Sequence, residues 1–525
     1  MAHIMAERIA IIGTGPMGIY TLQNFIQHQN LPIKIDLFEK GESAGIGMPY
    51  SKEMANEWML ANIASIEIPP ITETYLAWLK RQDNAYLAEY DLSQRELDER
   101  TFTPRLLLGE YFRDQLQALI SRAQANGIDT SVHASCEIVD IIADDQKYHL
   151  SALSIDAPEG QMFGPYDQVV LATGHAFPGD DEATHSYFPS PWSGLISTSI
   201  PACRVGVMGT SLSAIDAVMA VAVQHGKFRQ NGDKIRFEPK NSDLKLTMMS
   251  RSGILPEADF YCPLPYLPLT IMTDEAVELC GSSSSPLDAV FELMRKEIAL
   301  ADPDYAAKIK LTNLNADDFA AAYFAPRDDI DPFAYARKNL AQVEYNKMHK
   351  ITSSWRYALL RMHEKIETII SDLSDEDELR FTDGLKKVFI DNYAAVPSQS
   401  IRRILALHDA GLLSTLALGE DYTENHERGK TLILANGQHY EFEVFIDARG
   451  QRALTSEDLP FPSLRNALLN SGQMIPAVKA DYSLAKVAGY DQHFHLASIP
   501  YLMHKRPFVQ GITVCAEIGE AIAGA

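Results

Sequence analysis

The chain has 525 residues, in which 46 Lys and Arg stand against 70 Asp and Glu, a formal charge of −24 at pH 7. That balance argues against a nucleic-acid partner, whose phosphates call for a basic surface. Hydrophobic residues make up 46% and charged residues 22%, ordinary globular usage, and no apolar stretch is long enough to span a bilayer. A chain of this length divides into two or three domains. The five cysteines (Cys136, Cys203, Cys262, Cys280, Cys515) form no Cys-x-x-Cys pair, and His and Cys show no metal-ligand spacing. A cytoplasmic setting without disulfides or a metal site is expected. Met1–Ile4 before Met5 read as a cloning remnant, and no export signal follows.

The first informative segment is the apolar run Arg8–Ile12, followed at once by Gly13-Thr-Gly15-Pro16-Met17-Gly18 and the helix-like stretch from Ile19 to His28. In a strand–turn–helix context, Gly13 permits the tight turn, Gly15 clears space for a pyrophosphate and Gly18 allows the helix to approach its strand. The helix N-terminus then faces the phosphates, with Pro16 and Met17 of the motif counted among the cofactor-binding residues. A second strand, Ile33–Phe38, ends in Glu39 with Lys40 beside it, about twenty residues beyond Gly18, where a carboxylate accepts from a ribose diol. These pieces make a dinucleotide-binding βαβ unit.

Cys136–Gly174 reads as alternating strands closing on the buried run Gln168–Ala172 and the turn Thr173-Gly174-His175. Residues 412–450 repeat that plan, ending in Asp447-Ala-Arg-Gly450. Between them lies a second motif, Gly209-Thr210-Ser211-Leu-Ser-Ala214, with Ser211 where the middle glycine belongs and Ala214 in place of the third. Its following strand ends in Ser250-Arg251 rather than in an acid. An Arg there suits a 2′-phosphate, hence NADPH over NADH, with a surface ion pair as the even alternative.

With Gly13–Gly18, Gly45–Tyr50, Met59–Ile63, Ala172–Gly174, Gly209–Ala214, Ser250–Pro256 and Phe508–Ile512 in this order, the chain resembles bacterial flavoproteins with two dinucleotide-binding domains, of the FAD/NAD(P)-binding family, particularly their uncharacterised enterobacterial members. Those are similar to flavin-dependent N-hydroxylating and Baeyer–Villiger monooxygenases. The resemblance implies FAD in the first unit and NAD(P)H in the second. It leads to an α/β fold with two Rossmann-like dinucleotide-binding domains and a mostly helical insertion. The expected bounds are 5–200 for the FAD domain, completed by 451–525, and 201–285 for the NAD(P) domain, completed by 412–450, with the insertion at 286–411. Two departures stand out: Ser211, and Leu496-Ala-Ser-Ile-Pro500 where many flavoproteins carry a Gly-Asp pair.

In a flavin enzyme the ring carries the hard step, so no catalytic triad is required, and none is found. The loop from Gly45 to Pro70, with Gly47, Tyr50, Trp58 and Asn62 among apolar residues, has the composition of a segment wrapping a planar ring. Asn62 is the polar candidate at the flavin, a backbone-satisfying turn Asn being the equal alternative. His175 is placed near the cofactor at the end of a strand, although a lone His is more often structural. Gln510-Gly511 precede the helix-like run Ile512–Ala523, whose N-terminus suits negative charge on a reduced flavin if that helix folds back onto the first domain. The insertion is expected to shape a substrate pocket and carries cationic residues at Arg356, Arg361, Arg402 and Arg403. Ser398 is a candidate cap of the helix bearing Arg402 and Arg403, for which surface ion pairs are the stronger reading and binding of an acidic substrate or the NADPH phosphate the alternative. The acidic run Asp372–Glu378 is expected to be solvated.

The leading expectation is an FAD-dependent oxidoreductase, an NADPH-using monooxygenase of a small molecule. Two alternatives stand beside it: a reductase or dehydrogenase whose second site holds no nucleotide, and a non-catalytic flavin-binding sensor or interaction protein. Oligomeric state is open.

Overall fold

The computed structural model describes residues 6–28, 33–155, 157–232, 234–427 and 429–524; the Met1–Ile4 reading lies outside them. The chain begins with strand β1 (Glu7–Ile12), helix α1 (Pro16–His28) and strand β2 (Ile33–Phe38). Helix α2 (Arg105–Ala125) leads to β3 (Asp129–His133), an antiparallel meander of β4 (Cys136–Asp144), β5 (Lys147–Ser154) and β6 (Gln161–Tyr166), and then β7 (Gln168–Leu171).

Next come β8 (Tyr187–Phe188), β9 (Arg204–Met208), helix α3 (Leu212–Ala222), a hairpin of β10 (Gly226–Asn231) and β11 (Lys234–Pro239), and β12 (Lys245–Ser250). A helical stretch runs from Asp274–Gly281 through Leu385–Tyr393 to α4 (Ser398–Asp409). It is followed by β13 (Leu413–Ala417), a second meander of β14 (Thr423–Glu427), β15 (Lys430–Ala435) and β16 (Gln438–Phe442), and β17 (Val444–Asp447). The chain ends with β18 (Phe494–Leu496) and helix α5 (Ile512–Ala523).

Two compact units result. One holds the chain through Glu57, Ile63–Ala176 and the part from Gln451 on; the other holds Trp58–Asn62 and Phe177–Gly450. Each is built on a five-stranded parallel sheet, in the order β18-β7-β1-β2-β3 in the first and β13-β12-β9-β17-β8 in the second. In both, the strand entering the glycine motif is central. It is flanked by the next motif strand on one side and the meander-closing strand on the other, which is the repeated plan expected from the sequence. The edge strand beyond that differs: the first sheet takes it from the C-terminal segment, the second from residues just before its own motif.

A parallel sheet covered on both faces needs unbroken apolar strands. Ile9, Ala10 and Ile11 are wholly buried, as are Val169, Val170 and Leu171 beside them. A buried Ile contributes roughly 1.5–3 kcal/mol relative to exposure, so these central strands anchor the first unit.

The helical region departs from expectation in its charges. Arg356 is buried, with Nη1 2.9 Å from Glu257, and Arg327 joins Glu257 (3.3 Å) to Asp391 (2.6 Å). Two cations thus neutralise two acids inside the unit, where deleting one partner costs about 3–5 kcal/mol. Arg403 is also buried, while Arg402 pairs with Glu344 at 2.5 Å. The surface-pair reading therefore fails for Arg403, and Arg356 lies inside the unit as well. Asp377 of the acidic run is likewise buried and paired with Arg380 at 2.7 Å. Pro397, not Ser398, holds the cap position of α4. Among the described residues no helix is long and apolar enough to cross a membrane.

Candidate functional site

The first glycine motif closes on its neighbours through contacts that only glycine allows. Gly13 has φ of +101°, and a Cβ there would collide with the Ala172 carbonyl oxygen at the end of β7. A Cβ on Gly18 would strike the Gly13 carbonyl, so α1 starts directly over the turn. Pro16 occupies the first helical position and Met17 is buried behind it. Ile19 N–H donates to Gly15 O at 3.0 Å, beginning the helical ladder. The loop bearing Gly47 folds onto this turn: Gly47 has φ of +81°, and a Cβ on Gly15 would sit 3.2 Å from Gly47 Cα. Gly15 therefore has a packing duty as well as the clearance expected of it.

At the end of β2, Glu39 is held by three donors. Its Oε2 accepts from the Thr14 hydroxyl (2.7 Å) and the Thr14 N–H (3.2 Å), and its Oε1 from Gly41 N–H (2.9 Å). Lys40 beside it is exposed. The Tyr50 ring lies 5.7 Å from that of Phe112, and a Cβ on Gly109 of α2 would stand 2.6 Å from Tyr50 O. Burial pushes the Tyr50 hydroxyl's pKa well up, against the opposing pull of Arg105, so this phenol is neutral.

The end of β7 supplies Thr173, Gly174 and His175. Thr173 Oγ1 is 2.9 Å from Ser498 Oγ, which also contacts Gly174 O at 3.2 Å. Ser498, just after β18, thus stands where the Gly-Asp pair is missing. Burial pushes the His175 imidazole down to about 4, with Arg105 acting in the same direction and a hydrogen bond to Gln451 against it. The ring is neutral at pH 7. Gln451 also accepts Ala176 N–H at 2.9 Å, tying the chain's exit from this unit to its return.

Gln510 and Gly511 are exposed at the start of α5. That helix does fold back: a Cβ on Gly519 would lie 2.8 Å from Thr21 N and Tyr20 C in α1. The first unit therefore gathers Gly13, Gly15, Glu39, Gly47, Thr173 and Gly174 at the C-terminal ends of β1, β2 and β7, the place where open parallel sheets bind ligands.

Asn62 belongs by its contacts to the second unit. Its Oδ1 is buried and has no hydrogen-bond partner among the described residues. Its segment is anchored by Arg403, which donates to Trp58 O at 2.8 Å and places its guanidinium 5.0 Å from the Trp58 ring.

The second motif repeats the first closely enough to align the two. Gly13 N–H donates to Phe38 O (2.8 Å), and Gly209 N–H to Met249 O (2.7 Å). A Cβ on Gly209 would meet Ala448 O at 2.7 Å, as one on Gly13 would meet Ala172 O. Ser250 therefore holds the place of Glu39, and Arg251 that of Lys40. Thr210 Oγ1 reaches Ser250 Oγ at 3.3 Å, and Gly253 N–H donates to the same hydroxyl at 3.0 Å. Arg251 is exposed, with Nε 3.6 Å from Glu420, and Ser211 is exposed at the cap of α3. Sequence alone assigns no role to Thr14 or Ser498, although the Gly-Thr pair shared by both motifs is a visible signal for Thr14, whereas Ser250 stands, as expected, where the first motif has its acid.

Comparison with known proteins agrees with this architecture. A family profile described as "FAD-NAD(P)-binding" matches residues 10–176, and one described as "YdhS-like middle domain" matches residues 273–393. The chain is 49% identical over 524 residues to the uncharacterized protein YdhS of Escherichia coli (strain K12), covering 99% of this chain and 97% of that one. Among solved structures it is similar to the ornithine N-hydroxylase KtzI of Kutzneria sp. 744, with TM-score 0.52 and 12% identity over 99% of this chain and 98% of that chain. It is also similar to the ornithine hydroxylase PvdA of Pseudomonas aeruginosa, with TM-score 0.51 and 12% identity over 99% and 98%. The FAD-bound cadaverine monooxygenase DfoA of Erwinia amylovora matches with TM-score 0.51 and 14% identity over 99% and 94%. At these identities the likeness is one of fold.

Proposed function

The chain belongs to the YdhS family, and from that premise we propose that it is an FAD-dependent oxidoreductase, an NADPH-using monooxygenase of a small molecule. The observation that carries the reading is the pair of aligned motifs with different residues at the sugar-reading position. Glu39, anchored by Thr14 and Gly41, suits the ribose diol of FAD; Ser250 followed by Arg251 suits a 2′-phosphate, which an acid would repel.

The first unit fits FAD: left-handed Gly13 and Gly47, with the Thr14 side chain buried, leave bare backbone at the start of α1, whose first N–H groups lack helical partners and suit a pyrophosphate. When bound, FAD supplies hydride acceptance and oxygen activation. Around it Glu39 holds the ribose, and His175, uncharged at pH 7, provides a hydrogen-bonding ring without adding a cation. The exposed N–H groups at Gly511 favour negative charge. The five cysteines form no disulfide among the described residues, which fits a cytoplasmic setting. The names of the solved neighbours, an ornithine and a cadaverine enzyme among them, make a small primary amine the first substrate class to try.

The test is an anaerobic titration of the purified protein with NADPH, followed by its visible spectrum. Bleaching of a bound oxidised flavin is the expected result. Protein that binds no flavin rejects the reading. A flavin that NADPH leaves unchanged favours the dehydrogenase alternative, for which the specific observation is Ser211, whose side chain crowds the nucleotide position.

A further inference from the structure

We propose that Thr14 is the positioning residue of the flavin site: its hydroxyl holds the Glu39 carboxylate in the orientation that receives the adenosine ribose and couples it to the loop that closes over the glycine turn. The proposal rests on the FAD reading above.

Thr14 is completely buried. Its Oγ1 accepts the N–H of Gly45 at 3.0 Å and lies 2.7 Å from Glu39 Oε2. A hydroxyl has a single proton, and a backbone N–H can only donate, so the direction of both bonds is settled: Gly45 gives to Thr14, and Thr14 gives to Glu39. With the Thr14 and Gly41 N–H groups, three of the roughly four acceptor positions of an ionised carboxylate are filled. Glu39 is left with one orientation and little spare capacity, which a ribose hydroxyl completes.

The same hydroxyl fixes the start of the segment Gly45–Tyr50, whose Gly47 packs against Gly15 and Pro16. One side chain thus joins the glycine turn, the sugar reader and the covering loop. The second unit supports a role tied to the sugar position rather than to packing of the turn alone. There Thr210 follows the first glycine in the same way and directs its hydroxyl to Ser250, although the residue reached is a different one.

The experiment measures the FAD dissociation constant of flavin-stripped protein by fluorescence quenching, with ADP as competitor. It uses the wild type, Thr14→Val, Thr14→Ser, Glu39→Ala and the Thr14→Val/Glu39→Ala double variant. Losing a hydrogen bond to a charged group predicts about tenfold or weaker FAD binding in Thr14→Val, and ADP weakened by the same factor. Thr14→Ser keeps the hydroxyl and stays within about threefold of wild type. In the Glu39→Ala background, where no acceptor is left for the Thr14 hydroxyl, Thr14→Val adds less than about twofold, because its effect runs through that carboxylate.

Unchanged FAD affinity in Thr14→Val overturns the proposal, as does a full tenfold loss added on top of Glu39→Ala. Should Thr14→Val fail to fold, Thr14→Ala measures the same quantities with the same two overturning outcomes. A wild-type protein that takes up no FAD instead overturns the cofactor reading itself.

Discussion

Ser250 stands in the second unit where Glu39 stands in the first, each just beyond the strand carbonyl that accepts the N–H of the motif's opening glycine. The two places differ by one negative charge. With the acid absent and Arg251 next in sequence, the second site suits a phosphorylated ribose. The existing partner of Arg251 does not compete strongly, since Glu420 is 3.6 Å away and both side chains are well exposed, a pairing worth under about 1 kcal/mol. Arg251→Ala is expected to reduce the NADPH-to-NADH ratio of kcat/KM by about 10- to 100-fold, the range for a charge-assisted hydrogen bond. Ser250→Glu is expected to shift the same ratio in the same direction. Steady-state kinetics with both nucleotides checks this, and an unchanged ratio in Arg251→Ala removes it from the phosphate site.

The glycine turn yields a graded prediction. Gly13→Ala forces a left-handed φ on an alanine and drives its Cβ into the Ala172 carbonyl, so it is expected to lose at least about 1–3 kcal/mol of stability. Gly15 has no positive φ, and an added Cβ meets only Gly47 Cα at 3.2 Å. Gly15→Val is therefore expected to remain soluble and folded but to carry little FAD. Urea denaturation gives the first quantity and the visible-to-ultraviolet absorbance ratio the second; full flavin occupancy in Gly15→Val contradicts the assignment.

What could be read from the sequence was what local order encodes. Buried parallel strands write themselves as apolar runs, glycines at a left-handed turn are irreplaceable, and the terminal helix was bounded at Ile512 and Ala523 as it is in the structure. What could not be read depends on partners far along the chain. The burial of Arg356 and Arg403 is not legible, because nothing near them in sequence reveals that Glu257 and the Trp58 carbonyl await them. The same holds for the packing of Gly47 on Gly15 and for the hydrogen bond from Thr210 to Ser250, whereas the place of Ser250 at the end of the strand after the second motif was legible.

The close approach of α5 to α1 rests on Gly519. A side chain there meets the backbone of Tyr20 and Thr21 at 2.8 Å, and backbone cannot rotate away as a side chain can. Gly519→Val is expected to displace α5 and with it Gly511, costing roughly 1–3 kcal/mol from overpacking and weakening flavin binding. Gly524→Ala, whose nearest contact is Glu520 O at 3.3 Å, serves as the mild control on the same helix. Thermal melts with and without added FAD separate the two variants. Equal flavin-induced stabilisation in Gly519→Val and wild type argues against a part for α5 in the site.

The state of His175 makes stability depend on pH in a direction that can be worked out. In the unfolded chain the imidazole takes its proton near 6.5, whereas in the folded protein burial holds it back until about 4. Between these values the unfolded state binds the extra proton, so the contribution of His175 to stability is complete above about pH 6.5 and is lost as pH falls toward 4. His363 and His495 are pushed down by burial as well, so the wild-type profile alone does not isolate this ring. His175→Asn does: its stability deficit relative to wild type, measured by urea denaturation, is expected to be largest at pH 7 and to shrink toward pH 5. A deficit that is constant across that range means that the ring titrates normally, and that its neutral state at pH 7 owes nothing to its surroundings.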